Sequence, residues 1–196
     1  MSRKTYLWFK FAVDIFKAMK ADDDIFMTVP LYLKYLEVLP REKLNMGRTG
    51  KCFSNLSGVL TWYANGYANT LSRDVATSFA NYNQLRLVLS GGFSFRRFAN
   101  YVDNHVLNED IMVGTVIRNK VKVADLHMAD VPNCHYVSAH KSGEARKLSG
   151  TSTIVLHHLK VDDYLWLKKT FWRTEQTMLQ MPKLITIDTK WSQFEC

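Results

Sequence analysis

The chain has 196 residues, 47% of them hydrophobic and 22% charged, with a formal net charge of +8. That length and apolar content suit one compact domain with a sizeable core and exclude a chain that is disordered throughout. A bilayer span needs about 20 apolar residues, and the longest run here, 6–19, is interrupted by Lys10, Asp14 and Lys17.

No membrane partner is therefore expected, and the same charges do not suit a secretory signal. Cys52, Cys134 and Cys196 are scattered and odd in number. Their spacing suggests neither a zinc site nor a disulfide framework, which points to a reducing, cytoplasmic setting. The positive charge raises encounter rates with nucleic acids, nucleotides and acidic protein surfaces without choosing among them.

In chain order, the first segment predicts a helix ending at the acidic run of residues 22–24. Lys10, Asp14, Lys17 and Ala21 share one of its faces, and Leu7, Trp8, Phe11, Ile15 and Met19 fill the other. A second helix starts near Pro30 and stops before Pro40. From Met46 the texture changes to short strands, at 58–64 and 66–70. Ser72 is placed as the N-cap of a helix reaching Asn81, with Val75, Ala76 and Phe79 inward and Asp74 favouring the helix dipole. Alternation at 84–89 predicts a half-buried strand, a turn follows at 91–92, and 111–118 predicts another strand. Residues 141–152 read as a polar loop, 153–159 as a strand, 162–180 as a helix and 184–188 as a last strand.

Helices followed by short strands, with no βαβ alternation, predict an α+β fold. The expected arrangement is an N-terminal helical lobe (1–45) packed on a small split sheet of mixed or antiparallel strands (46–118). A C-terminal extension (119–196) completes one domain.

No phosphate loop, dinucleotide fingerprint, nucleophile elbow or HExxH zinc motif is present. His157 and His158 are adjacent, so a strand would point them to opposite faces, and no metal is expected. His127, His135 and His140 read as surface or loop histidines.

One constellation carries chemistry. An arginine closes the turn Asn45-Met-Gly-Arg48-Thr-Gly. Then comes Gly66-Tyr-Ala-Asn-Thr-Leu-Ser72, followed by Asp74-Val-Ala-Thr-Ser-Phe-Ala80. After the predicted strand at 84–89 comes an acidic pair running into an apolar segment, Leu107-Asn-Glu-Asp-Ile-Met-Val113.

This order resembles the arginine–serine–glutamate class of mono-ADP-ribosyltransferases, in its phage-type and clostridial-exoenzyme forms, over residues 46–118. The resemblance implies an ADP-ribosyltransferase-like fold, NAD as cofactor, and ADP-ribose transfer to a macromolecular target, an acidic protein or RNA. It implies Arg48 as the NAD-binding arginine, with Asn69 and Thr70 in place of the serine–threonine–serine strand. Aligned on the apolar tail, Asp110 takes the catalytic position; shifted by one, Glu109 does. Glu175 is a distant alternative. Tyr67 or Phe93 would line the nicotinamide pocket.

Those residue types suit that chemistry. Breaking the glycosidic bond to nicotinamide passes through an oxocarbenium-like state, which a carboxylate stabilises. The planar fork of arginine grips a diphosphate.

Two other readings stand beside it. Aromatics interleaved with basic residues, at 93–98 and 166–173, suit a basic nucleic-acid-binding protein of viral type without enzymatic activity. Trp166 and Phe171 are also expected as the core face of a helix. Tyr6, Trp8, Phe9 and Phe16 suit a helix that docks a protein partner, if it does not pack on its own domain.

Overall fold

A computed structural model of the chain describes residues 2–13, 18–53, 58–91, 93–139, 152–172 and 182–196. The order of elements is α1 (Ser2–Ala12), β1 (Ala18–Ala21), β2 (Phe26–Met27), α2 (Val29–Glu37), β3 (Leu44–Gly47), β4 (Thr49–Phe53), β5 (Leu60–Ala64), β6 (Ala68–Leu71), α3 (Arg73–Ala80) and α4 (Asn83–Ser90). A 3₁₀ turn (Phe95–Arg97) leads to α5 (Phe98–Asp103), then α6 (Glu109–Thr115), whose end widens into a π turn (Val116–Lys120). The chain continues through β7 (His127–Asp130), β8 (Tyr136–Ser138), β9 (Val155–His157), α7 (Val161–Trp172), β10 (Leu184–Asp188) and β11 (Trp191–Phe194).

The fold is α+β. Its main sheet has six strands in the order β1-β6-β3-β7-β11-β10, beside a three-stranded sheet β2-β9-β8 and the pair β4-β5. The main sheet is mixed: β3 runs antiparallel to β6 but parallel to β7. Period-two alternation splits its side chains between two cores. Leu44, Met46 and Ala68 pack with Leu31, Tyr32 and Tyr35 of α2 and with Tyr136 and Val155 of the second sheet. Leu71 and Met128 pack on the opposite face, with Tyr6 and Phe9 of α1, Phe79 of α3, Leu85 of α4 and Met112 of α6.

Several expectations are met: α2, α3, β5, β6, β9 and β10 lie where the patterning puts them. Others are corrected. Residues 84–89 are helical, because Leu85, Val88 and Leu89 bury one helical face while Leu87 is 62% exposed. The apparent alternation thus came from a leucine that faces solvent. Residues 111–118 are helical too. Asn108 Oδ1 caps α6 by accepting from the Asp110 and Ile111 amides. An all-apolar run buried on a sheet has no period by which to tell strand from helix.

The first helix ends at Ala12 rather than near the acidic run, and Met19 belongs to β1. Its buried face holds Tyr6 and Phe9, whereas Leu7, Trp8 and Phe11 are exposed. The expected apolar stripe is therefore the outer one. In α7, Leu167 is buried and Trp166 is 51% exposed, against its expected place in the core. The expected loop at 141–151, His140, Phe16, Glu175 and the end of the last helix lie outside the described residues, and nothing is described of the Phe171 side chain.

Cys134 and Cys196 form a disulfide, which corrects the expectation of three unpaired thiols. Their spacing of 62 residues gave no sign that the chain end returns to the start of β8. His135 is buried rather than superficial, its ring nitrogens each 2.7 Å from a carbonyl oxygen, of Ser152 and of Glu195. Among the described helices none is long and apolar enough to cross a membrane.

Candidate functional site

The edge strand β1 carries Lys20 directly opposite Asn69 of β6. Lys20 Nζ lies 2.9 Å from Asp22 Oδ1, 2.7 Å from Glu109 Oε1 and 3.6 Å from Asp110 Oδ1. Glu109 and Asp110 occupy the first turn of α6, where the helix dipole favours negative charge and Asn108 satisfies free amides. Glu109 Oε2 also accepts from Thr5 Oγ1 at 2.6 Å, and Asp110 Oδ2 accepts from the Gly66 amide at 2.7 Å. Gly66 leaves room for that contact: a Cβ there would stand 2.8 Å from both Asp110 carboxylate oxygens.

Burial works to lower the Lys20 pKa, but the bonds to Glu109 and Asp22 outweigh it and hold the ammonium above its ordinary value. Burial also works to raise Glu109, and the bonds from Lys20 and Thr5 prevail, so its carboxyl sits below the usual range. Asp110 differs. Burial dominates there and pushes its carboxyl up, Lys20 and the Gly66 amide offsetting only part of it. The two neighbouring carboxyls are thus shifted in opposite directions, Glu109 down and Asp110 up.

Arg48 follows β3 directly. Its Nη1 donates to Tyr67 Oη at 3.4 Å, and its guanidinium carbon lies 5.7 Å from the Tyr67 ring centroid. The Tyr67 ring centroid is 4.3 Å from that of His157, whose ring stacks in turn on His158 at 3.8 Å. His157 Nε2 faces Asp24 Oδ1 at 3.1 Å and Asp22 Oδ2 at 3.4 Å. These contacts close a loop from Arg48 through Tyr67, His157, Asp22, Lys20, Glu109 and Asp110 back to Gly66, the residue before Tyr67.

The two histidines do not point apart as a continuing strand would require. His157 ends β9 and His158 has φ +57, a left-handed turn that brings both rings to one side.

Alongside the loop lies a cavity of about 960 Å³. Leu7, Trp8 and Phe11 give it an apolar wall, while Lys20, Asp22, Asp24, Glu109, His157 and His158 give it a polar one. Trp8 Nε1 donates to the Met19 carbonyl at 3.1 Å, which fixes the indole at the rim.

Of the residues singled out from the sequence, Arg48, Tyr67, Glu109 and Asp110 come together in this loop of contacts. Asn69 is buried on the Lys20 face of β6, with its Oδ1 unpartnered. Thr70 points to the other face, where its Oγ1 is 2.8 Å from Tyr32 Oη. Phe93 belongs elsewhere, exposed beside Phe95 and Phe98 and edge-on to the buried Tyr101. Sequence reasoning missed Lys20, Asp22, Asp24, His157 and His158. In sequence the acidic run 22–24 reads as a helix stop, and adjacent histidines on a continuing strand diverge.

The sequence matches no protein-family model. No curated protein matches it significantly either.

Proposed function

We propose that the chain binds NAD and transfers ADP-ribose to a macromolecular acceptor, on a scaffold of ADP-ribosyltransferase type. The observation that carries this is one run of contacts that links Arg48, Tyr67, Glu109 and Asp110, distant in sequence, and opens at Glu109 and His157 onto a cavity. Its volume of about 960 Å³ lies within the range of small-molecule and cofactor sites.

Charge is distributed in a way that suits the cofactor. Lys20 and Lys4 on the cavity wall offer cations to a diphosphate, with Arg48 one residue further out behind Tyr67 and His157. Glu109 with the acidic run offers anions to the positively charged nicotinamide ring. Glu109, held ionised, is the carboxylate placed to stabilise an oxocarbenium-like sugar. Asp110 orients the turn before Tyr67 through the Gly66 amide. Asn69 and Thr70 support β6 rather than the ligand. The helices at 83–90 and 109–115 stand where the resemblance expects strands, so support comes from where individual side chains such as Glu109 are placed and not from the secondary structure of those segments.

The test is incubation with labelled NAD and a cell lysate. Transfer of label to a lysate component that is lost in Glu109→Gln supports the activity. No transfer and no NAD hydrolysis contradict it.

A second reading has its own observation. Phe95 is 89% exposed beside Phe93 and Phe98, with Arg96 and Arg97 adjacent. Exposed aromatics among cations suit stacking on single-stranded nucleic acid. Binding of an oligonucleotide that weakens steeply with salt and is lost in Phe95→Ala supports it.

A further inference from the structure

We propose that Asp24, His157 and His158 form a binding site for a divalent transition-metal ion on the polar wall of the cavity. The inference stands apart from the NAD reading, and either can fail alone.

The three side chains each present one ligand atom, and those atoms all lie within 4.8 Å of one another. One carboxylate and two imidazoles make a donor set of intermediate softness that suits zinc, cobalt, nickel or ferrous iron rather than calcium or magnesium. The positive φ of His158 is what makes the set possible, since it folds two adjacent histidines onto one side.

A second observation points the same way. The His157 side chain is 8% exposed, and its Nε2 faces two carboxylates, of Asp24 and of Asp22. Its Nδ1 is buried with no partner. One imidazole N–H can only be shared weakly between two carboxylates, whereas a cation bound at Nε2 and Asp24 would offset the excess negative charge there. His158 is prepared differently: its Nδ1 lies 2.7 Å from Ser138 Oγ, leaving Nε2 as the free ligand atom. A hydrogen bond on the far nitrogen orients a metal-binding imidazole. His157 lacks such an anchor, and missing anchors weaken metal affinity roughly 10–100-fold. The ion is therefore exchangeable rather than structural. Three protein ligands leave a coordination position open to water or to an oxygen of a bound molecule.

The other histidine–cysteine cluster does not compete in the oxidised protein, because Cys134 and Cys196 beside His135 are tied in the disulfide.

The test uses untagged, chelator-treated full-length protein without reductant, titrated with Co²⁺ by visible absorption and with Zn²⁺ by calorimetry. One equivalent of ion per chain is expected. His158→Ala, at an exposed position, and Asp24→Asn should each weaken binding at least 10-fold while circular dichroism stays unchanged. Absence of stoichiometric binding overturns the proposal, as does binding that both variants leave intact. Binding that appears only after reduction also overturns it, and assigns the ion to Cys134, His135 and Cys196.

Discussion

Lys20 Nζ lies 2.7 Å from Glu109 Oε1, and the two side chains are only 11% and 18% exposed. This bond fastens the edge strand β1 to the first turn of α6, elements separated by most of the N-terminal half. Lys20 also stands among Asp22 and Asp110, so one ammonium offsets three carboxylates. Lys20→Met would leave that charge uncompensated in a half-buried place. We expect a loss of roughly 2–3 kcal/mol in chemical denaturation. Adding Glu109→Gln should recover part of it, by contrast with two independent losses that simply add.

Gly114 is where α6 crosses β5. A Cβ there would stand 2.5 Å from Tyr63 Cβ and 2.7 Å from the Trp62 carbonyl oxygen. Backbone on the far side cannot give way as a flexible side chain would. Gly114→Ala should therefore destabilise by about 1–3 kcal/mol, the range for an overpacked core. It should also impair the site, because α6 carries Glu109 and Asp110. A stability equal to that of the native protein, read from the urea midpoint, would contradict this packing.

Three tyrosines lie in the core between α2 and the second sheet. Burial raises Tyr32, pushes Tyr35 up to about 12, and raises Tyr136 further. A group whose folded pKa exceeds its unfolded value contributes stability below the unfolded value, near 10 for a phenol, and loses it as pH rises toward the folded value. Stability should hold to about pH 10 and then fall toward pH 12. Urea midpoints between pH 8 and 11.5 check this, and Tyr35→Phe should flatten the alkaline fall.

The Cys134–Cys196 bond closes a loop of 62 residues. Loop closure of that size is expected to contribute roughly 2–4 kcal/mol through the unfolded chain. Reduction, or Cys134→Ser with Cys196→Ser, should lower the melting temperature by several degrees. An identical Tm in oxidised and reduced protein would contradict the pairing.

What the sequence revealed depended on whether a signal was local. The helix after Ser72 and the strand ending at Ala64 carry their own patterns, and both appear where expected, although the Ser72 hydroxyl accepts from the Leu44 amide instead of capping the helix. Residues 84–89 failed because Leu87 faces water, which turned a helical face into an apparent alternation. The apolar run after Glu109 failed because a buried helix and a buried strand look alike in sequence. In the site, Arg48 and the acidic pair were visible through motif order. Lys20 and the histidines became partners only through β1 lying beside β6 and through the turn at His158, neither of which leaves a local trace. The disulfide was invisible for the same reason.

The most direct measurement is a calorimetric titration of the native protein with NAD beside Arg48→Ala and Glu109→Gln. The account predicts saturable binding of one NAD per chain in the native protein. Arg48→Ala should weaken it about 10–100-fold, the loss of a charge-assisted contact worth about 1.5–3 kcal/mol. Glu109→Gln should bind NAD but transfer no ADP-ribose. Absence of NAD binding up to about 1 mM, the weak end of affinity near −4 kcal/mol, would contradict it.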